Sequence, residues 1–517
     1  VVGRGWGGGG EITDSWDEAD GTFHFKVKTD RIRWASNGVF IGHYDFIDIP
    51  GEWVLKDGYV YLKVPPTVDV KRDEISFKRR HAALVLNKRS NITVEGLTVI
   101  GSSALLDSAN NCTIDKCTFY CLSHYMTYDY QKKGYVALED SVVFTGNRGI
   151  VITGSNNTFK NSSVTYSAGH ALYVNGTPNT IENNLIRFID YPNSYAAGVY
   201  IRVQRLKIRH NTFTHFGRSA LTGGQVCEIT HNKFLNAMYL SGDGGTIYTS
   251  GSPIATGEEF AYNVFAGCFG QPASYIYSDN DANAVNDIAH HNVFLPNPRS
   301  KGKFMTLDSN IKFWYNNTWA ATNNERDPYV IWDDSTGKVP WSAVWKNNLL
   351  ALDTSKDWRF TNAAAGDYSL QEGSYAIDKG KPIDGFANPF SGTAPDLGAF
   401  EFGKPVWQAG HDWGEPLIEE GLWAALQGTN PARPLTTLLG PGGVELRETP
   451  RQLHLSFARS SGGLEEVFNL QGRCCLSARS SANRVVVIDK SLLSPAHYVV
   501  KVTLDGQQLV QHMLVVR

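Results

Sequence analysis

The chain has 517 residues, with 48 Lys and Arg against 51 Asp and Glu and a formal net charge of −3. That length exceeds one compact core and suits an elongated body with an appendage. The near-balanced charge excludes a basic surface for nucleic acid or an anionic membrane, and no apolar run reaches the roughly 18 residues of a membrane span. Seven cysteines at irregular spacing (Cys112, Cys117, Cys121, Cys227, Cys268, Cys474, Cys475) make neither a disulfide framework nor a zinc motif, and most are expected to be buried as small apolar residues. The chain opens on Val1 and a Gly-rich stretch, GRGWGGGG, as expected where a leader has been removed or the start trimmed.

In chain order, FHFKVKTDRIRW and GEWVLKDGYVYLKVP read as β-hairpins, the second turning at Lys56-Asp57-Gly58. Residues 1–65 are therefore expected to form an N-terminal β cap that covers an open sheet edge. From residue 66 to about 415 the pattern is that of a solenoid. Seven strand-like stretches recur every 22–29 residues: ALYVN, VYIR, ALTGG, TIYTS, YIYSD, FMTLD and VIWDD. In each, an apolar residue (Leu172, Val199, Leu221, Ile247, Ile276, Met305, Ile331) alternates with a lane of opposite parity. That lane reads Tyr173, Tyr200, Thr222, Tyr248, Tyr277, Thr306, Trp332. Alternation along a strand sends the apolar lane inward and the aromatic lane outward. A second, Asn-rich motif recurs between these stretches, as in NTIENNLI, LKIRHNTF, CEITHNKF and DIAHHNVF. Asn accepts the left-handed backbone of a sharp corner and can form side-chain ladders. One corner Asn per turn predicts an all-β, right-handed parallel β-helix, with its last coil near residue 350 and a tail to PDLGAFEFG near 403. Helical solenoids are excluded by the lack of a 3.6-residue period.

Residues 416–435 read as a Pro-rich linker, and 436–517 as a small antiparallel β-sandwich. The stretches VFNLQGR, SLLSPAHYVVKV and QHMLVVR resemble the C-terminal sorting domains of proteins exported by the type IX system of Bacteroidetes and related bacteria. Ala496-His497 stands where that family usually has Gly before Tyr. The resemblance implies export machinery as a partner and a secreted or cell-surface bacterial protein. A generic accessory sandwich is the alternative.

The outer lane carries the chemistry. Asp279 and Asp308 occupy equivalent places on successive coils, roughly 5 Å apart at the strand spacing, with Asp334 one coil further. Carboxylates at such separations serve glycoside hydrolysis and split their proton affinities into acid and base. An Asp ladder sharing Ca²⁺ is the alternative. Asp243, before Gly244-Gly245, is the other candidate acid; it lies seven residues ahead of Ser250, the lane partner of Asp279, and can meet Asp279 only if the glycines make a corner or bulge. Arg202, His124 and His170 are candidate cleft residues, and Trp314, Trp319 and Trp332 candidate extensions of an aromatic, sugar-binding platform.

The stretches Asp243-Gly-Gly-Thr-Ile-Tyr248 and Ile276-Tyr-Ser-Asp279-Asn280, with PDLGAFEFG, resemble right-handed β-helix glycoside hydrolases of the α-L-fucosidase and xylanase grouping, in style over residues 35–405. The resemblance implies catalysis by Asp243 and Asp279, with Asp308 as a further acid. Ser278 and Asn280 depart from the family pattern. Tyr173, Tyr200, Arg202, Tyr248, Tyr277, Trp332, His124 and His170 would then bind substrate, as a monomer on a plant or algal polysaccharide or oligosaccharide, with no cofactor required. Two other readings stand. One is a calcium-dependent lyase of uronate polymers, using Arg202, Arg218 or Lys233 with Asp279 and Asp308. The other is a non-catalytic, adhesin-like or carbohydrate-binding surface protein.

Overall fold

The structure is a computed structural model that describes residues 52–64, 80–123, 148–295 and 357–410 apart from short gaps, and separate strands outside these ranges. Three ten-stranded parallel sheets wind around one core, so ten coils each contribute one strand to every sheet. The chain is a right-handed parallel β-helix. Coil 1 begins at Ala82–Val85 in the first sheet, passes through Thr93–Glu95 in the second and Thr98–Ile100 in the third. Coil 10 ends with Val344–Lys346 and Leu349–Leu350, at the predicted place. The predicted start at 66 precedes the first described parallel strand by 16 residues.

The N-terminal hairpin Trp53–Lys56 with Tyr59–Leu62 turns at Asp57 (φ 52°) and Gly58 (φ 80°), as the Asp-Gly pair requires. The other antiparallel pair joins Thr13–Asp17 to Thr22–Phe25, ahead of the stretch predicted for it. A second compact unit holds Pro416–Arg517 with two short N-terminal stretches. Its strands form two four-stranded antiparallel sheets over 438–516.

The interior follows from the apolar lanes. Phe213, Phe234, Phe265 and Phe294 stack at 4.9–5.1 Å, one per coil, inside the third sheet. Each such ring is fully buried and contributes about 1.5–3 kcal/mol by leaving water. The corner between the second and third sheets is held by a polar ladder of Ser162, Asn184, Asn211, Asn232, Asn263, Asn292 and Asn317. From coil to coil, a backbone N–H donates to the Oδ1 of the next asparagine at 2.9–3.0 Å. Each Nδ2 donates back to a carbonyl of the preceding coil, as Asn232 does to Ile208 at 2.8 Å. Asn184 through Asn292 are completely buried, so no water competes for these groups.

The ladder asparagines are not themselves the left-handed residues, contrary to the expectation from sequence. The residue before is: Asn161 before Ser162, and Asn183, His210, His231, Tyr262 and His291 before ladder asparagines, with φ between 47° and 57°, so that asparagine itself takes the left-handed place at Asn161 and Asn183. The left-handed step makes the corner and throws its own side chain outside, leaving the next side chain free to point inward. For a non-glycine residue that step costs roughly 1–2 kcal/mol. It is offset by the ladder bonds, each worth about 1 kcal/mol, and by stacking of the ejected rings. His210, His231, Tyr262 and His291 lie ring on ring at 4.8–4.9 Å, and Trp407 meets the first two edge-on. The tail strap closes over this corner: Gln408 O bonds His210 Nδ1 at 2.9 Å and Ala409 O accepts from Thr212 at 2.8 Å. A side-chain Cβ at Gly410 would fall 2.6–2.7 Å from Asn184 O and Thr212, so only glycine lets the strap seat. Cys112, Cys117, Cys227 and Cys268 are free and buried, as expected, while Cys121 is exposed.

Burial, with neighbouring histidine and arginine charges, pushes His231 down to about 3, and burial lowers His291 well below its ordinary value. His170 is likewise held at about 3 and His215 is lowered. An unfolded chain takes up these protons near pH 6.5, and the folded chain does so only far lower. Stability fully present above about pH 6.5 is therefore lost as pH falls toward 3. Asp396 and Glu401, raised by burial, act in the opposite sense but nearer the carboxylate range. Urea unfolding should show stability falling between about pH 6.5 and 5, with up to about 1.4 kcal/mol per pH unit for each such histidine. His231→Phe, which keeps the stack, should remove one proton's share of that slope; a profile flat over this range would contradict the burial of neutral rings.

Candidate active face

The outer lane of the first sheet forms as read from the sequence. Tyr173 pairs with Tyr200, Tyr200 with Thr222, Thr222 with Tyr248, Tyr248 with Tyr277, and Tyr277 with Thr306. The inward partners Leu172, Val199, Leu221, Ile247 and Ile276 are buried in the core cluster. The next coil slips: Thr306 pairs with Val330 and Leu307 with Ile331, two residues off the lane that would put Trp332 beside Thr306.

The lane is not the open stacking platform expected. Tyr173 and Tyr200 lie parallel to each other at 5.7 Å and 8°, and Tyr248 meets Tyr277 at 5.5 Å. The Arg148 guanidinium carbon sits 4.3 Å from the Tyr173 ring centre. That of Arg218 lies 4.0 Å from Tyr195 and 4.5 Å from Tyr248. His170 packs on Tyr200 at 4.7 Å. Rings stacked along the helix axis spend their faces on one another and on cations, and turn edges and hydroxyls outward. The face is thus a row of hydrogen-bonding groups with positive charge beside it.

Arg218 is 1% exposed, at the corner entering coil 6. The lane residue on that coil is the small Thr222, and Arg218 packs on the ring of Tyr248 one coil further on. Gly244 belongs to this packing. Its φ of 147° disfavours a side chain, and a Cβ there would come 3.1 Å from Met238 Cε and 3.4 Å from Arg218 Nη2. The glycine after Asp243 therefore serves close approach by a buried guanidinium. The pairing from Gly244 with Ala273 to Ser250 with Asp279 runs without a register shift. No bulge shortens this strand, whose ends stand roughly 20 Å apart.

His170 is 5% exposed, and its Nδ1 accepts the Ala197 N–H at 2.9 Å. That bond fixes the ring proton on Nε2. Burial, and then the positive charges of Arg148 and Arg218, hold the ring neutral with a value of about 3. A group this hard to protonate is a fixed donor rather than a proton shuttle. Arg202 is exposed and lies where the pairing with the next coil loses register, between Ile201 and Gln204. Lys233, Trp314 and Trp319 sit on other sheets, Lys233 and Trp319 on the third and Trp314 on the second, so they do not extend the lane. Asp279 closes the coil 8 strand opposite Ser250. Asp243, Asp308, Asp334, His124 and Trp332 lie outside the described residues.

Sequence reading missed Arg148 and Tyr195. The only signal for Arg148 is its step: it stands two residues before Ile150, as His170 stands two before Leu172, and those two residues pair. It also missed a half-buried outer stack at the exit of the third sheet, where Tyr166, Phe188, His215, Tyr239 and Phe269 follow at 4.4–5.9 Å.

Residues 67–270 match the family described as periplasmic copper-binding protein (NosD). No curated protein matches the chain. Among solved structures, pectate lyase Pel9A is similar at 18% identity over 62% of this chain and 87% of that one, with a TM-score of 0.30. Copper needs converging imidazole or sulfur donors. Among the described residues no group of three or more His, Cys, Asp or Glu converges. The corner histidines face one another ring to ring, with His210 Nδ1 bonded to the strap and both His290 nitrogens bonded to His291 and Glu259. The described residues do not fit a copper centre. No helix among them is long and apolar enough to cross a membrane.

Thr222 is buried and its Oγ1 has no hydrogen-bond partner among the described residues. Thr222→Val exchanges that hydroxyl for a methyl of like shape, so urea unfolding should show a gain of about 1 kcal/mol. A loss of similar size would mean that the hydroxyl is bonded in the folded chain.

Proposed function

We propose that this protein is an extracytoplasmic carbohydrate-active enzyme that lays a polysaccharide along the outer face of the first sheet and hydrolyses its glycosidic bonds. The observation that carries the reading is the in-register strip of Tyr173, Tyr200, Thr222, Tyr248 and Tyr277 with Arg148, His170 and Arg218 beside it. Hydroxyls and N–H groups repeated at about 4.8 Å suit a chain of hydroxyl-bearing rings better than a small or apolar ligand. The periplasmic family matched over 67–270 supports a location outside the cytoplasm, and the C-terminal sandwich is read as an export signal.

In this reading Asp279 acts as nucleophile or base. In the sequence, Asp308 is the residue of the next repeat equivalent to Asp279. Neighbouring coils put two such carboxylates about 5 Å apart, near the separation of a retaining pair. Proximity would keep one of them protonated as the acid. The unbroken strand after Gly244 makes Asp308 a better partner than Asp243. A second reading, a lyase acting on uronate polymers with calcium on the acids, is favoured by the guanidinium groups of Arg148 and Arg218 on the same face.

The test is incubation with xylans, pectins, fucans and alginates, with calcium or with chelator, following reducing ends together with ultraviolet absorbance of unsaturated uronate. New reducing ends without absorbance, lost in Asp279→Asn, are expected. Calcium-dependent absorbance would replace the hydrolase by the lyase, and no cleavage of any polymer would leave a binding protein.

A further inference from the structure

The outer lane of the first sheet changes character before Tyr173. Followed back along the register, it continues as Val151 on coil 3, Leu105 on coil 2 and Val85 on coil 1. These side chains share the outward parity of the tyrosines. Their strand neighbours Ala104, Leu106, Ile150 and Ile152 belong to the core cluster, and Leu105 and Val151 do not. Even so, Leu105 is 5% exposed and Val151 2%, while Val85 is 55% exposed.

Outward side chains this dry are covered by other parts of the chain. Leu105 lies between Val151 and the exposed Val85, so the cover stands over coils 2 and 3 and stops short of coil 1. Thr222 and Tyr248 are also buried, for a different reason. Thr222 is a small residue between two tyrosines, and Tyr248 lies against Arg218 and Tyr277. Residue type follows the cover. The sealed positions are aliphatic and those from Tyr173 to Tyr277 bear hydroxyls, as expected where a lane passes from protein to solvent. The next outward residue of coil 3 is closed as well: Thr153 donates to Asp107 at 2.7 Å and accepts the Ser108 N–H at 2.7 Å.

We infer that the strip is closed at coil 3, and that the protein takes its polysaccharide by a chain end rather than along its middle. The terminal sugar unit sits at Tyr173, against the wall that begins at Val151. The half-buried Arg148, whose guanidinium carbon is 4.3 Å from the Tyr173 ring centre, donates to the hydroxyls of that unit. Four coils separate Tyr173 from Tyr277, roughly 19 Å at the strand spacing. Hydrolysis at Asp279 therefore releases an oligosaccharide of one short length, set by the distance from the wall to the acid. Contacts at the wall select chain ends by binding energy without touching the cleaved bond. The inference rests on the polysaccharide reading and gives that site its mode of action.

The experiment is calorimetric titration of the full chain with xylan, polygalacturonate, a fucan and alginate, each as long polymer and as a sized short digest at equal mass. The polymer that binds should do so in proportion to its chain ends, so that binding sites per gram rise as chain length falls. With that polymer, reducing ends should appear from the first turnovers as one oligosaccharide size, while viscosity barely falls. Arg148→Gln should weaken binding of the short digest by about tenfold, with an unfolding transition as cooperative as the parent's. Sites per gram independent of chain length, or an affinity untouched by Arg148→Gln, would overturn the closed end. Cleavage to a ladder of sizes would do the same and leave the hydrolase standing. Sites that follow chain ends without any cleavage would keep the closed end and remove the hydrolase. Failure of every polymer to bind would remove both.

Discussion

A backbone N–H passed from one coil to the side-chain oxygen of an asparagine on the next, at 2.9–3.0 Å and out of reach of water, holds the second corner of this solenoid. A parallel β-helix has no long-range interlocking of distant segments; each coil touches only its neighbours. Register must therefore be fixed locally and repeatedly. Apolar burial alone fixes parity, since a slip of two residues keeps every side chain on its proper face. The asparagine bonds remove that freedom because Oδ1 takes one backbone N–H, and Nδ2 one carbonyl, of the preceding coil. Where the described ladder ends, at Asn317, the first-sheet lane departs by two residues from its predicted alignment on the next coil.

Everything on the candidate face depends on that register. Tyr173 stacks on Tyr200, and Tyr248 packs tilted against Tyr277, because consecutive lane residues arrive at the same height. Thr222 interrupts the tyrosines between Tyr200 and Tyr248, and Arg218 lies along the same strip against the rings of Tyr195 and Tyr248. Gly244 completes the site by leaving room beside Arg218. The result is a strip whose rings are spent on packing against one another and against guanidinium groups.

Much of this was legible in the residues. Period-two alternation gave the parallel β-helix and the pairings from Leu172–Val199 to Ile276–Met305. The recurrent Asn marked the corners and is itself left-handed at Asn161 and Asn183, but on later coils the left-handed residue is His210, His231 or Tyr262, stabilised by stacking that no local rule reports. Stacking likewise turned the aromatic platform into an edge-on strip. Trp314 and Trp319 shared the aromatic character of the lane and not its sheet, because phase within a coil is set by corner length rather than residue type. Arg148 carries no motif and is found only through pairing of Ile150 with Leu172. Gly244-Gly245 resembled a bend beside a catalytic acid, and its strand runs straight.

If the buried amide ladder sets the register on which the face is built, native-state hydrogen exchange of Asn232→Ala will show it. Asn232 accepts the Asn211 N–H at 2.9 Å and donates to Ile208 O at 2.8 Å, so its loss orphans two buried backbone groups. The opening free energy of amides in coils 5 to 7, including first-sheet strands far from the substitution, should fall together by about 3 kcal/mol. Protection unchanged in the first sheet, with any loss confined to the corner, would mean that the ladder does not set the register of the face.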